Sequence, residues 1–68
     1  MKIRVNGVER FIQSNESISL CETIQLLGYS SKTIVVEVNK LIINSAEWED
    51  KYINNGDELE VVSIVGGG

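Results

Sequence analysis

The chain has 68 residues, a hydrophobic share of 43% and a formal net charge of −4. This length predicts a single domain, and the composition indicates a soluble folded chain rather than a disordered one. Nucleic-acid binding is disfavoured because it needs a basic stripe, whereas the six Lys and Arg residues are scattered along the sequence. A membrane span is disfavoured because no apolar run approaches the roughly 18–20 residues that it requires.

The cysteine content of the sequence indicates the redox environment of the protein. Cys21 is the single cysteine, so an internal disulfide framework is excluded and a reducing compartment is favoured. No signal-peptide pattern is evident at the N-terminus. We expect a cytoplasmic protein, or one of an organelle stroma if the chain is plastid-encoded.

A β-hairpin is predicted at the start of the chain. The segment 2–5 alternates polar and apolar residues, which is the period of a half-buried strand. Asn6-Gly7 predicts a type I′ turn, because that turn needs positive φ at both central positions. Val8 to Ile12 is then the returning strand. A two-residue loop pairs Val5 with Val8 but leaves Phe11 and Ile12 on opposite faces, so a bulge after Gly7 is the alternative.

A short helix is predicted over Leu20–Leu27, after a polar connection. Ser19 followed by Glu22 fits a capping box, in which each side chain satisfies a backbone N–H at the other position. Gly28 suits the left-handed residue that ends a helix. The apolar positions of the helix fall on one face, and we expect Cys21 to lie beside them as a small core residue rather than a reactive thiol.

The second half of the chain predicts a strand-rich region. Thr33–Asn39 is dense in β-branched residues and predicts a central strand. Lys40 and Leu41 are expected to turn the chain into a short strand at Ile42-Ile43. A brief helical turn then opens at Asn44 or Ser45 and runs through Trp48, which we expect to cover the edge of the core.

The last strand is predicted over Glu58–Val65, after a turn at 54–57. If Leu59 and Val61 face the core, the alternation leaves Val62 and Ile64 as outward apolar residues beside the end of the chain. Such residues predict a docking patch. The alternative is that the end of this strand is covered on both faces.

Three glycines, Gly66, Gly67 and Gly68, end the sequence. Without Cβ atoms they cannot pack a core, but an extended glycine segment passes through a channel that is too narrow for side chains. We expect a folded domain at 1–65 and a flexible tail at 66–68 that is the functional group. The alternative is a frayed terminus.

The order of elements predicts an α+β roll: a mixed sheet of four to five strands whose first and last strands pair in parallel, with one main helix across a face. No catalytic constellation is present, because the chain has no histidine and too few cysteines for a zinc site. We therefore expect neither an enzyme nor a bound metal.

Five segments of the sequence carry a resemblance to a known family: Ile3–Gly7, Val36–Asn39, Ile43 with Trp48, Ile53–Leu59 and Val65–Gly68. Across nearly its whole length, the sequence resembles the ThiS-type sulfur carriers of thiamine biosynthesis, which have the β-grasp (ubiquitin-like) fold. Lys40 and Asn44-Ser45 depart from that pattern, in surface turns.

The resemblance implies a carrier whose partners supply the catalysis. A ThiF-type adenylyltransferase would adenylate the Gly68 carboxylate with ATP, and no cofactor would be bound by the carrier itself. A sulfur donor such as a cysteine desulfurase would convert the acyl-adenylate to a thiocarboxylate, which a ThiG-type thiazole synthase would use. Gly66 and Gly67 would thread the partners' channels.

Two other functions remain open at this point. One is the sister carrier that supplies sulfur for molybdopterin, which shares the Gly-Gly end but is usually longer. The other is a ubiquitin-like modifier, in which the same terminus would form an isopeptide bond with lysine.

Overall fold

The structure, a computed structural model, describes residues 1–14, 16–30 and 32–64. A 3₁₀ turn over Ser45–Glu47 lies between the fifth and sixth strands. The remaining elements of the described chain are the strands and helix β1 (Lys2–Val5), β2 (Val8–Phe11), β3 (Ile18–Ser19), α1 (Leu20–Leu27), β4 (Ile34–Val38), β5 (Leu41–Ile43), β6 (Tyr52–Ile53) and β7 (Glu58–Ser63).

The main sheet has five strands in the order β2-β1-β7-β4-β5. β1 and β7 run parallel, and the other neighbours in this sheet are antiparallel. The predicted α+β roll with a mixed sheet and one main helix is therefore confirmed. The short strands β3 and β6 form a separate antiparallel pair beside the helix, which the sequence analysis did not predict.

The first hairpin closes by a two-residue turn, as predicted. Asn6 and Gly7 have φ of 52° and 81°, and Val5 pairs with Val8. The register continues without a bulge to the pair of Lys2 with Phe11. β2 therefore ends one residue earlier than predicted, and the next residue, Ile12, is buried.

Helix α1 has the predicted bounds, because a capping residue lies at each of its ends. The Ser19 hydroxyl accepts a hydrogen bond from the Glu22 N–H at 3.1 Å, and Gly28 ends the helix with φ of 87°. Among the described residues only this half of the predicted capping box is formed. Ser19 also belongs to β3, where it pairs with Tyr52. Thr23, which was not predicted to be buried, donates to the Ser19 carbonyl at 2.8 Å.

The turn between β4 and β5 lies one residue earlier than predicted. Asn39 and Lys40 are its central residues, with φ of 50° and 72°, and Leu41 begins β5 and pairs with Val38. The prediction missed this turn because lysine is not a usual residue in the left-handed region. The Asn39 side chain supports the turn by accepting a hydrogen bond from the Glu58 N–H at 3.0 Å.

One hydrophobic core lies between the inner face of the main sheet and the helix. Trp48 is buried at its edge, as predicted, and its indole N–H donates to the Ile43 carbonyl at 3.0 Å. None of the helices in the described ranges is long and apolar enough to cross a membrane. The buried hydrophobic residues are Ile3, Val5, Ile12, Leu20, Ile24, Ile34, Val36, Val38, Trp48, Ile53, Leu59 and Val61.

We predict that Lys40→Gly stabilises the protein by about 0.5–1 kcal/mol, because glycine removes the left-handed strain that a Cβ causes at φ of 72°. Lys40→Ala is the matched control, since it removes the same charge and keeps the Cβ. Urea unfolding measures both. Equal stabilities for the two variants would contradict the assignment of strain to Lys40.

Candidate docking site at the end of the last strand

β7 leads directly to the glycine tail. Residues 65–68 lie outside the described residues, so the predictions for Gly66, Gly67 and Gly68, and for the domain boundary after Val65, stay predictions. The last residue that the structure describes is Ile64, directly beyond the end of β7.

On one side, β4 holds the end of β7. The two strands pair over five residues, from Val38 with Leu59 to Ile34 with Ser63. Beyond the last of these pairs, the Ile64 N–H donates to the Thr33 carbonyl at 2.7 Å. The backbone is therefore held to the body up to Ile64.

On its other side, β7 is bonded first by the strand β1 and then by the side chain of Asn6. The pairing of β1 with β7 ends at Val5 with Leu59, because the chain turns at Asn6. The Asn6 side-chain amide then bonds Val61, the next residue of β7 whose backbone groups face β1. Its Oδ1 accepts from the Val61 N–H at 2.8 Å, and its Nδ2 donates to the Val61 carbonyl at 3.2 Å. The Asn6 side chain thus makes the hydrogen bonds that a continuation of β1 would make with Val61.

The two faces of β7 differ as the alternation predicts. Leu59 and Val61 are buried in the core, whereas Val62 and Ile64 are 55% and 54% exposed. The alternative, a strand covered on both faces at its end, is not what the structure shows. The docking role of Val62 and Ile64 stays a prediction.

The structure adds two residues to this surface. Val35 of β4 pairs directly with Val62 and is half-buried, and Ile42 of β5 lies on the same outer face and is 70% exposed. Together with Val62 and Ile64 they form what we call the outer apolar patch. Sequence reasoning missed Val35 and Ile42 because only the strand register places them on the same face of the sheet as Val62.

Two glutamates border the outer apolar patch. Glu37 pairs with Glu60 across β4 and β7 and with Ile42 across β4 and β5. Directly opposed like charges on a sheet are destabilising, and within the described chain neither carboxylate has a Lys or Arg partner within 4.0 Å, whereas Glu58 contacts Arg4 at 3.9 Å. This arrangement favours a partner that brings a positive charge to the border of the patch.

A metal site and the Cys21 thiol are the other candidate sites among the described residues. No group of three or more His, Cys, Asp or Glu residues within 1–14, 16–30 and 32–64 could hold a metal ion. Cys21 is half-buried against the core, as expected, and its Sγ accepts from the Gln25 amide at 3.9 Å. It lines an open concavity with Lys32 and Trp48.

Comparison with known proteins agrees with the fold. The model of the ThiS family matches residues 3–68. The uncharacterized protein ycf40 of Trieres chinensis is 36% identical over 64 residues, which cover 94% of this chain and 85% of that protein. The crystal structure of the thiamine biosynthesis protein (ThiS) from Geobacter metallireducens has a TM-score of 0.87 and 25% identity, with 100% of both chains covered.

A longer relative also matches the whole chain. The thiazole synthase of Paramagnetospirillum magneticum is 32% identical over 68 residues, which cover 100% of this chain but 20% of that protein. A segment similar to the whole of this chain is therefore joined to a much larger remainder in that protein.

We predict that Asn6→Gly destabilises the protein by about 1–2 kcal/mol, because it leaves the Val61 N–H and carbonyl without their partners. Glycine accepts the φ of 52°, so backbone strain does not contribute. Lys40→Gly is the matched control, a second change from a left-handed turn residue to glycine that removes no such bonds. If urea unfolding gives both variants the same stability, the Asn6 amide does not hold β7.

Proposed function

This chain belongs to the ThiS family of sulfur carriers in thiamine biosynthesis, and we propose that its Gly68 carries the sulfur as a terminal thiocarboxylate. The observation that carries the proposal is the family match through residue 68, which includes all three tail glycines. The anchoring of β7 up to Ile64 supports it, since the tail then begins at a defined point of the body.

The proposed chemistry starts from the Gly68 carboxylate, which is a poor electrophile until it is activated. A carboxylate oxygen of Gly68 attacks the α-phosphorus of ATP in a ThiF-type partner, and pyrophosphate leaves. When hydrosulfide is the nucleophile, its attack on the acyl carbon displaces AMP and gives the thiocarboxylate, with no electrons gained or lost. When the persulfide of a donor such as a cysteine desulfurase attacks instead, AMP leaves and an acyl disulfide forms, and a thiol must then reduce that disulfide by two electrons to release the thiocarboxylate.

The proposed contribution of this chain is position rather than catalysis. Four residues follow Ile64 in the sequence, and at roughly 3.3–3.6 Å for each extended residue they reach up to about 14 Å beyond the body. The acyl carbon must come within about 3–3.5 Å of the attacking sulfur. Glycines at 66–68 allow that approach through a narrow channel, and the partners supply the catalytic groups.

We propose a ThiG-type thiazole synthase as the partner that accepts the sulfur. The support is the thiazole synthase of Paramagnetospirillum magneticum, in which a segment similar to this chain is part of a longer protein. Joining a carrier to its acceptor enzyme keeps the two at a high effective concentration. The ThiS-family match also favours thiazole formation over the molybdopterin carrier and the protein modifier.

We predict that deletion of Gly68 abolishes activation while leaving the fold intact, because the reacting carbonyl is then one residue too short to reach the adenylation centre. The assay is carrier-dependent exchange of pyrophosphate into ATP by a ThiF-type enzyme. The circular dichroism spectrum and the unfolding midpoint serve as controls for the fold. Exchange at the wild-type rate with the shortened chain would contradict the role of Gly68.

We predict that Val62→Lys weakens binding to the ThiF-type enzyme by at least about tenfold, because it places a charge in the centre of the outer apolar patch. Stability should change by less than about 1 kcal/mol, since the side chain is 55% exposed. Leu41→Lys is the matched control, at an apolar residue that is 68% exposed and lies outside the patch. Titration calorimetry that shows equal affinities for the two variants would remove the patch from the interface.

A further inference from the structure

The hydrogen bonds of β7 alternate between its two neighbours. The Ile64 N–H bonds towards β4, to Thr33. Leu59 and Val61 bond towards β1, through the backbone and the side chain of Asn6 respectively. Because an extended strand directs alternate residues to opposite sides, the N–H and carbonyl of Ser63 point towards the β1 side.

On that side the described chain offers Ser63 no strand. The pairing with β1 ends at Leu59, and the amide of Asn6 bonds only Val61. Ser63 is itself exposed. Among the described residues, the backbone N–H and carbonyl of Ser63 therefore have no strand partner on the β1 side of β7, one residue before the last described residue, Ile64.

The tail itself limits how a partner can hold it. Gly66, Gly67 and Gly68 have no side chains, so a partner can form hydrogen bonds only with their backbone N–H and carbonyl groups. An extended segment of a partner can bind such a sequence by pairing with its backbone. Addition of a strand to an open sheet edge is a general mode of peptide recognition. The open edge at Ser63 is continuous along the chain with these glycines.

We propose that Ser63 is where the activating enzyme adds an extended strand of its own to β7, and that this strand guides the tail into the adenylation centre. The inference rests on the proposed function, since it names how the ThiF-type partner holds the same tail. The outer apolar patch complements it: Val62 and Ile64 present side chains to the partner from one face, while Ser63 presents its backbone at the edge.

Amide hydrogen exchange tests the pairing without relying on the chemistry. In the free protein, the Ser63 N–H should exchange fast. In the complex with the ThiF-type enzyme, its exchange should slow by at least about tenfold, as expected for a paired strand. The Ile64 N–H, already bonded to Thr33, is the internal reference. Unchanged exchange of Ser63 in a formed complex would overturn the inference.

Ser63→Pro tests the consequence for transfer. Proline removes the N–H at the open edge and leaves the bonds of β7 to β4 in place. The matched control is Glu9→Pro on the outer edge strand β2, where Glu9 pairs with Arg4 between the hydrogen-bonded positions of the hairpin, so its N–H also points away from the sheet. We expect thiocarboxylate formation to slow about tenfold with Ser63→Pro and less than twofold with Glu9→Pro.

The outcomes separate the inference from the proposed function. If the wild type forms a thiocarboxylate and folded Ser63→Pro forms it equally fast, the added strand is wrong and the carrier function stands. If the wild type forms no thiocarboxylate, the carrier chemistry fails. Should Ser63→Pro not fold, the exchange of the wild-type Ser63 amide in the complex still decides the pairing.

Discussion

The last strand of the chain is also the middle strand of its sheet. β7 lies between β1 and β4, pairs with β4 over five residues and carries two of the buried core residues, Leu59 and Val61. Its end cannot move without breaking that pairing. Ile64 is therefore attached to a strand that is paired on both sides, and a partner that binds the body also sets the position of Ile64. This constraint gives the proposed reach of residues 65–68 a fixed starting point.

In the proposed complex, the surface around Ile64 combines three kinds of recognition. The outer apolar patch supplies area that is released from water on binding. The opposed carboxylates of Glu37 and Glu60 supply charge, which mainly speeds encounter and rejects wrong partners. The backbone of Ser63 supplies direction. The patch and the two carboxylates share the outer face of the sheet, and the Ser63 backbone lies at the β1 side of β7, so one partner surface can engage all three while the core remains undisturbed.

Much of the fold follows from local signals, and the remainder from pairing that only the folded chain reveals. Asn6-Gly7 and the helix over Leu20–Leu27 were predictable because turn and cap chemistry act within a few residues. The turn at Lys40 was not, since lysine carries no left-handed signal, and β3 and β6 are too short to show a period. Val62 could be placed on the outer face by alternation, but Val35 and Ile42 needed the register. The clamp by the Asn6 side chain joins residues 55 positions apart.

The account depends on sulfur being carried at the end of the tail. The direct measurement is mass spectrometry of the intact protein and of its C-terminal peptide after incubation with ATP, a ThiF-type enzyme and sulfide. We predict that one oxygen is replaced by sulfur, only when ATP is present, and that fragmentation locates the sulfur on Gly68. Sulfur found on Cys21 instead, or an unchanged mass with an enzyme shown to be active on another carrier, would contradict the account.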